Sequence, residues 1–326
     1  MVTTHSSHIV NSKIHSCNSF NNINYLTIKD KYSIVIPLDD KNILEKNSPT
    51  KENDILFLKK HIKYKVSELF FSDAVVFVEG ATEETLLHYY LEQNQILNNY
   101  YISMFRVDGA HSKVYFPLIK KLNIPCLIIT DLDIQRYRCE RNKKHKKEDS
   151  DCPICNNDGS YPIKYAQITS LDNRQTTNST LIYLLENSKN SKNSKKTISL
   201  IKIKDYIEKD FLYVVYQKDP IEGQFATSLE EAIILTNHEN NLLHNLISSL
   251  KPTIYKNITN NGKNKDLLKE NSFRLQQSFG NNSGKSEFAS KLLYELITSD
   301  DTEKPKLPKY IQDGFSWLEN KLRKEI

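Results

Sequence analysis

The sequence predicts an α/β fold in which a mainly parallel β-sheet is flanked by helices. Strand-like and helix-like segments alternate over residues 74–130. The apolar run Val75–Val78 stops at Glu79, and a second apolar run stops at Asp131. Strands that alternate with helices of this length are joined by right-handed crossovers, which make the strands parallel. Both acidic residues are therefore expected to follow strands of one sheet.

The first elements along the chain are predicted to be a hairpin and a helix. Strands are expected over about 24–28 and 32–37, because β-branched and aromatic residues there flank a polar turn. A polar linker over about 39–53 follows. Apolar residues from Ile55 to Phe71 recur at helical spacing, which predicts a helix directly before the central strand.

A strand, a tight turn and a helix form the segment on which the predicted site depends. Residues 74–78 form the strand, and Gly80 permits the sharp reversal. Thr82 is predicted to cap a helix over about 83–95, since threonine is a good N-cap and the acids after it favour the positive end of the helix dipole. Glu79 then lies at the carboxyl edge of the sheet, where open α/β folds place their chemistry.

Further strands and helices are predicted on both sides of a long insertion. The segment of about 134–210 breaks the alternation and contains a low-complexity Asn-Ser-Lys run, so it is interpreted as an insertion. Residues 240–283 are polar and give no clear prediction. The other predicted elements are strands over about 100–107, 124–130 and 211–217, and helices over about 111–122, from 228 onward, and over about 284–297 and 308–322.

Composition limits the class of protein. The 326 residues are 38% hydrophobic, and no apolar run approaches the roughly 20 residues that span a bilayer. We therefore expect a soluble cytoplasmic protein without membrane association. The five cysteines are too few and too scattered for a disulfide framework. The net charge of +5 is compatible with an anionic partner such as nucleic acid.

Three carboxylates are expected to converge at one edge of the sheet. Asp131 and Asp133 lie two residues apart at the end of a buried strand, so both side chains point to the same side. Glu79 ends another strand at the same edge. Carboxylates that close together repel one another, and a divalent cation with oxygen ligands, such as Mg²⁺ or Mn²⁺, neutralises them. For any single acid, a turn, a helix cap or a solvated charge is the alternative.

These motifs resemble the TOPRIM domain of the overcoming lysogenization defect (OLD) family of ATP-dependent nucleases. The resemblance covers about residues 68–298, and the motifs follow in family order. It implies a Rossmann-like TOPRIM fold that carries a long insertion. The matching stretches are Val78-Glu79-Gly80-Ala81-Thr82-Glu83, Val107-Asp108-Gly109-Ala110, Thr130-Asp131-Leu132-Asp133, Ser228-Leu229-Glu230-Glu231-Ala232 and Gly284-Lys285-Ser286-Glu287-Phe288-Ala289.

The resemblance implies a metal-dependent DNA endonuclease that hydrolyses phosphodiester bonds in defence against phage or other foreign DNA. Mg²⁺ or Mn²⁺ would be the cofactor. Two ions are expected, and a mechanism with a single ion is the alternative. Lys285 would stabilise charge on the phosphate, and Glu79 is alternatively a general base. The implied catalytic residues are Glu79, Asp131, Asp133 and Lys285, and the implied metal ligands are Glu79, Glu83, Asp131, Asp133, Glu230 and Glu231.

The start of the chain resembles the switch-histidine segment of ABC-type ATPases, which precede the TOPRIM domain in this family. His5 lies where the histidine that reaches the γ-phosphate would be, and a polar terminal segment is the alternative. Residues 1–53 are therefore expected to be the C-terminal remnant of an ATPase domain with a linker, and residues 54–326 the TOPRIM nuclease domain, with closing helices over about 285–326. The chain is expected to be a C-terminal portion without ATPase activity of its own.

Three weaker motifs have competing interpretations. Gly280–Ser286 is one residue short of a phosphate-binding loop and follows no strand, so the catalytic-lysine interpretation is preferred. The basic run Arg136–Lys147 either follows a DNA backbone or forms a solvated loop. Cys139, Cys152 and Cys155 form a candidate structural zinc site, with free thiols as the alternative.

The expected partners are DNA, further copies of the chain in a homo-oligomer and a UvrD-like helicase, as in the related two-component Gabija systems. A catalytically silent assembly or regulatory domain is one alternative function. A topoisomerase-like or primase-like TOPRIM module is another. The complete set of acids together with Lys285 favours the nuclease over both.

Overall fold

The N-terminal part of the chain forms a hairpin between short helices. Helix α1 spans Ser7–Cys17, strands β1 and β2 span Ile23–Lys29 and Tyr32–Leu38, and helices α2 and α3 span Asp40–Ile43 and Lys51–His61. The two strands pair antiparallel and form a sheet of their own. The computed structural model describes residues 3–17, 19–29, 31–43, 51–62, 67–107, 112–137, 140, 165, 167–172, 174–186, 207–208, 211–280 and 282–324.

The central sheet has five strands in the order β4-β3-β5-β7-β6. Strands β3, β4, β5 and β7 pair parallel, and the short edge strand β6 pairs antiparallel with β7. Apolar runs buried on both faces are typical of parallel strands, and all five residues of β3 are buried. The strands span Ala74–Val78 (β3), Ile102–Arg106 (β4), Cys126–Ile129 (β5), Ile207–Glu208 (β6) and Leu212–Val215 (β7).

The two faces of the sheet carry separate cores, because successive side chains of a strand point to opposite faces. Val76 and Val78 of β3 pack on one face, whereas Val75 and Phe77 pack on the other. The first face is covered by helices α4 (Ala81–Gln93), α7 (Leu229–Thr236), α8 (Asn241–Leu250), α12 (Asn282–Thr298) and α13 (Lys309–Lys324), and the second by α1, α3, α5 (Phe116–Leu122) and α6 (Ser179–Glu186).

The N-terminal segment packs on the second face. Ile14, Phe20 and Leu38 are buried in the same apolar cluster as Phe77 of the central strand. The hairpin therefore shares a core with the α/β domain. The division into an ATPase remnant over 1–53 and a nuclease domain over 54–326 remains a prediction.

The structure confirms the α/β fold and the parallel sheet, and it corrects several local predictions. Helix α4 begins at Ala81 with Gly80 as its N-cap, so Thr82 lies inside the first turn and does not cap it. The helix predicted over 55–71 ends at His61, and a 3₁₀ turn over Ser67–Phe71 follows. The segment 240–283, which gave no prediction, forms α8 and the helices α9 (Pro252–Ile258), α10 (Leu267–Glu270) and α11 (Ser272–Phe279).

The order of the strands creates a crevice between β3 and β5. The chain runs from β3 to β4 on one side and then returns to β5 on the other side of β3. Helices that follow two such strands lie on opposite faces, and this reversal leaves a crevice at the carboxyl ends of the strands where ligands bind in open α/β folds. Among the described helices, none is long and apolar enough to cross a membrane.

Candidate active site

Glu79 lies at the carboxyl end of β3, beside the end of β5. The pairing of Val78 with Ile129 brings Glu79 next to Thr130. The Thr130 hydroxyl donates a hydrogen bond to Glu79 Oε1, and Asp131 N lies 3.4 Å from Oε2. Burial raises the pKa of Glu79, and hydrogen bonds from Thr130 oppose this effect. The predicted convergence of Glu79 with the Asp-x-Asp segment is therefore present in the fold.

The two aspartates differ in their surroundings. Asp131 Oδ1 accepts a hydrogen bond of 2.9 Å from Gln217 Nε2, whereas Asp133 is exposed and has a positive φ of 45°. Burial and then repulsion from Glu83 raise the pKa of Asp131 well above its usual range. Although Asp133 is exposed, partial desolvation by the surrounding protein still raises its pKa, and Lys285 opposes that rise. Asp131 is thus held in place by the protein, while Asp133 faces solvent.

Glu83 lies on the first turn of α4 and points back towards the strand end. A β-carbon on Gly80 would lie 2.6 Å from Glu83 Oε2, so this glycine is needed for the close approach of the carboxylate. Glu83 is only 5% exposed. Burial and then repulsion from Glu230 raise its pKa to about 8. Glu83 is therefore part of the same acidic cluster as Asp131.

Glu230 and Lys285 reach the cluster from two helices of the first face. Glu230, on α7, is 2% exposed and accepts hydrogen bonds from Thr82 Oγ1 at 2.7 Å and Lys285 Nζ at 3.0 Å. Burial alone would lower the pKa of Lys285, but attraction to Glu230 and Asp131 outweighs burial and raises the pKa. The lysine on α12 therefore stays charged and faces the carboxylates.

Glu231 is turned away from this cluster although it is the neighbour of Glu230. Its Oε2 accepts hydrogen bonds of 2.8 Å from both the backbone and the hydroxyl of Thr227, and Ser272 Oγ lies 3.2 Å from Oε1. Burial raises the pKa of Glu231, and Arg136 opposes the rise. These contacts tie the start of α7 to its surroundings, so only one acid of the predicted Glu230–Glu231 pair joins the other carboxylates.

Several predicted features lie elsewhere or outside the described residues. His5 is exposed in a segment without regular structure ahead of α1. Arg136, at the start of the predicted basic run, is 7% exposed and lies 3.3 Å from the centre of the Phe273 ring, so this residue is packed inside the protein. Residues 141–147 of that run lie outside the described residues. The candidate zinc ligands Cys139, Cys152 and Cys155 lie outside the described residues.

Sequence reasoning missed two amides that hold the acids. Gln217 follows β7, donates to Asp131 and Tyr310, and accepts a 2.8 Å hydrogen bond from Leu132 N. Asn178, at the start of α6, donates to Glu79 Oε1 across 2.7 Å. Gln217 could have been found, since it is the last residue of a predicted strand, close to where Glu79 and Asp131 follow theirs. Asn178 lies in the segment interpreted as an insertion, which gave no such signal.

The donor set fits a divalent metal ion, although the carboxylates are held by protein groups in this conformation. All of the clustered acids offer hard oxygen ligands, which Mg²⁺ and Mn²⁺ prefer. Mutual repulsion contributes to the raised pKa of Glu83 and Asp131, and a cation would relieve it. Among the residues that the structure describes, no three His, Cys, Asp or Glu side chains are already arranged around one ion. Binding would therefore require some carboxylates, such as Glu230, to exchange partners.

Fold and site together define a class of domain. A mainly parallel sheet carries a glutamate after one strand and an Asp-x-Asp segment after its neighbour, with a switch in strand order between them. This combination is the TOPRIM arrangement. Residues 70–133 match the family described as overcoming lysogenization defect protein-like, TOPRIM domain. This part of the chain is therefore similar to the TOPRIM domain of OLD-like proteins.

Comparison with known proteins adds one close relative and one solved structure. The chain is 48% identical over 329 residues to Endonuclease GajA of Bacillus cereus (strain HuB5-5). That alignment covers 100% of this chain but 43% of GajA, so the chain spans less than half the length of its relative. The C-terminal region of the Burkholderia pseudomallei OLD protein is 18% identical with a TM-score of 0.41, covering 77% of this chain and 99% of that one.

Proposed function

We propose that the chain is the nuclease portion of an OLD-type protein and that it cleaves DNA with the help of Mg²⁺ or Mn²⁺. The observation that carries this proposal is the cluster of Glu79, Glu83, Asp131 and Glu230 around the carboxyl ends of β3 and β5, with Lys285 beside it. The identity of 48% with a relative named as an endonuclease supports the same reaction class.

The proposed ligands are the clustered acids Glu79, Glu83, Asp131, Asp133 and Glu230. Bound divalent ions would supply an activated water and neutralise the scissile phosphate. We assign Glu79 and Asp131 to the ion nearest the strand ends because both are fixed by hydrogen bonds from the protein. Asp133 is the exposed member of the set and would be accessible to DNA.

Lys285 is assigned to the phosphate. Its Nζ contacts Glu230, and its pKa is raised, so it keeps its positive charge at neutral pH. If Glu230 served as a metal ligand, Lys285 would no longer be paired with it and could stabilise negative charge on the phosphate. A lysine side chain suits that role because it is a mobile point charge.

Wider features of the whole protein belong to this proposal as well. We infer that DNA is the substrate, that defence against phage or other foreign DNA is the role, and that the active protein is a homo-oligomer. A UvrD-like helicase would be a second partner, and His5 would belong to an ATPase domain that governs the nuclease. These features rest on the likeness to the OLD family and to GajA.

Plasmid cleavage tests the proposed reaction. The intact chain is incubated with supercoiled DNA and Mg²⁺ or Mn²⁺, beside Asp131→Ala and Lys285→Ala. Loss of one charged group that acts on the transition state lowers the rate by about 100-fold or more. Lys291→Ala is the matched control, because Lys291 lies on the same helix and its side chain is 46% exposed. Cleavage that survives both site substitutions contradicts the assignment, and no cleavage with either metal favours a silent assembly or regulatory domain.

A further inference from the structure

Asn178 is buried at the start of helix α6 with its amide in a defined orientation. The residue is 2% exposed. Its Oδ1 accepts hydrogen bonds from Thr180 N at 3.0 Å and Leu181 N at 3.1 Å, so Asn178 is the N-cap of this helix. The two backbone donors identify which end of the amide is the oxygen. The NH₂ group must therefore point away from the helix.

That NH₂ group faces the ends of the two strands that carry the acids. Asn178 Nδ2 lies 2.7 Å from Glu79 Oε1, 2.9 Å from Thr130 Oγ1 and 3.0 Å from Asp131 O. Two hydrogens are thus shared among three acceptors. One of these acceptors follows β3, and the other two follow β5. Asn178 is therefore a bridge between the two strand ends at the crevice.

The segment that carries Asn178 is fixed to the Asp-x-Asp segment by further contacts. Thr176 Oγ1 donates to Leu132 O across 2.7 Å, and Thr177 N donates to Asp133 O across 2.8 Å. Helix α6 is anchored in the core by Leu181 and Leu184, which are 0% and 1% exposed. The amide is consequently held from both sides and cannot follow a movement of Glu79 without breaking these contacts.

We propose that Asn178 is a positioning residue of the metal site: it fixes the carboxylate of Glu79 and the backbone at Asp131, and thereby sets the affinity for the divalent cation. This inference rests on the proposed function, because it assumes that Glu79 and Asp131 bind metal. The same inference gives residues 176–178 a role in the site. Residues that hold a metal ligand by hydrogen bonds typically change metal affinity or activity by 10–100-fold when they are replaced.

Two substitutions separate the positioning role from the capping role. Asn178→Ser and Asn178→Thr both keep a side-chain oxygen that caps a helix, but each is too short to donate to Glu79 and the Asp131 carbonyl. Asn240→Ser is the matched control. Asn240 caps α8 by accepting from Leu243 N at 2.9 Å, and its Nδ2 contacts Glu303 O instead of the acidic cluster.

The experiment measures Mn²⁺ binding by isothermal titration calorimetry, with the thermal midpoint of each variant recorded by circular dichroism. We expect Mn²⁺ to bind about 10-fold to 100-fold more weakly to both Asn178 variants and with unchanged affinity to Asn240→Ser. All three variants keep a cap, but the Asn178 variants also lose buried hydrogen bonds, so their thermal midpoints should fall further than that of Asn240→Ser. A role in stability alone would lower the midpoint without weakening Mn²⁺ binding.

The outcomes distinguish this inference from the proposed nuclease function. Equal Mn²⁺ affinity in the unsubstituted protein and the Asn178 variants overturns the positioning role, even if the protein cleaves DNA. Weaker Mn²⁺ binding in those variants supports it, even if the unsubstituted protein cleaves no DNA. If the unsubstituted protein binds no Mn²⁺, both the positioning role and the metal-dependent nuclease are overturned.

Discussion

Lys285 Nζ lies 3.0 Å from Glu230 Oε2 and links helix α12 to helix α7. The carboxylate side chain is 2% exposed and the lysine side chain 28% exposed, so the ion pair is open to solvent on one side only. Thr82 holds the other oxygen of Glu230 at 2.7 Å. This pair joins the predicted catalytic lysine to an acid of the cluster, and it therefore couples the stability of the fold to the chemistry of the site.

Replacing both members of the pair should separate stability from activity. Lys285→Met leaves Glu230 buried without its cation and should lower the free energy of unfolding by about 1–3 kcal/mol. Adding Glu230→Gln removes the uncompensated charge and should recover most of that loss. DNA cleavage should stay low in the double variant. Urea denaturation and plasmid cleavage measure the two quantities, and recovery of cleavage in the double variant would show that Lys285 only balances Glu230.

Glu230 and Glu231 should respond differently to the same substitution. Glu230→Gln removes a proposed ligand and should weaken Mn²⁺ binding by about 10-fold or more. Glu231→Gln disturbs the buried hydrogen bonds to Thr227 and should lower the free energy of unfolding by about 1–2 kcal/mol, with Mn²⁺ affinity unchanged. Calorimetry and urea denaturation on both variants test this contrast. A weaker Mn²⁺ affinity in Glu231→Gln would mean that this acid reaches the ions after all.

Gly80→Ala should damage the site more than the fold. The backbone at Gly80 has φ −127° and ψ 172°, which alanine adopts readily. The added β-carbon would lie 2.6 Å from Glu83 Oε2 and force that carboxylate to move. We expect a thermal midpoint close to that of the unsubstituted protein and an Mn²⁺ affinity that falls by about 10-fold. Unchanged Mn²⁺ binding would remove Glu83 from the set of ligands.

The stability of the metal-free protein should fall as the pH rises from about 4.5 towards 8. Burial raises the pKa of Glu83 from 4.5 to about 8, so in this window the folded chain keeps a proton that the unfolded chain has lost. Because the folded chain binds more protons than the unfolded chain in this window, raising the pH favours the unfolded state. The pKa values of Glu79, Asp131 and Asp133 are raised as well and act in the same direction.

Thermal midpoints across this pH range, recorded with a chelator present, measure the effect. Glu83→Gln should flatten the profile, because the substituted side chain does not titrate. Added Mn²⁺ should raise the midpoint more at the upper end of the range, where the carboxylates are ionised. A midpoint that rises steadily up to about pH 8 without metal would contradict the mutual repulsion of these acids.

The positions of Glu79 and Asp131 could be predicted because the rule that places them is local. Each follows an apolar strand, and parallel strands bring their carboxyl ends to one edge. The pairing of Val78 with Ile129 confirms that the ends of these two strands lie side by side. The same rule applied to the strand over 211–217 would have pointed to Gln217, which lies 2.9 Å from Asp131 Oδ1.

Other features depend on contacts that no local pattern contains. Asn178 reaches Glu79 across 99 positions of the chain, and the sequence around Asn178 gives no sign of that contact. Threonine is a residue type that often caps helices, but the Thr82 hydroxyl donates instead to Glu230, 148 positions away. Helix α8 is different, since its Leu242, Leu243, Leu246 and Ile247 recur at helical spacing and would have predicted the helix in a segment that is polar on average.

The location of bound Mn²⁺ tests the central claim most directly. Crystals soaked in Mn²⁺ give anomalous scattering that marks the ion independently of the protein atoms. We expect an anomalous peak in the crevice at the carboxyl ends of β3 and β5, within about 2.5 Å of oxygens from Glu79 and Asp131. The same peak should be absent from crystals of Asp131→Ala. A protein that binds Mn²⁺ only elsewhere, with no peak among these carboxylates, would contradict it.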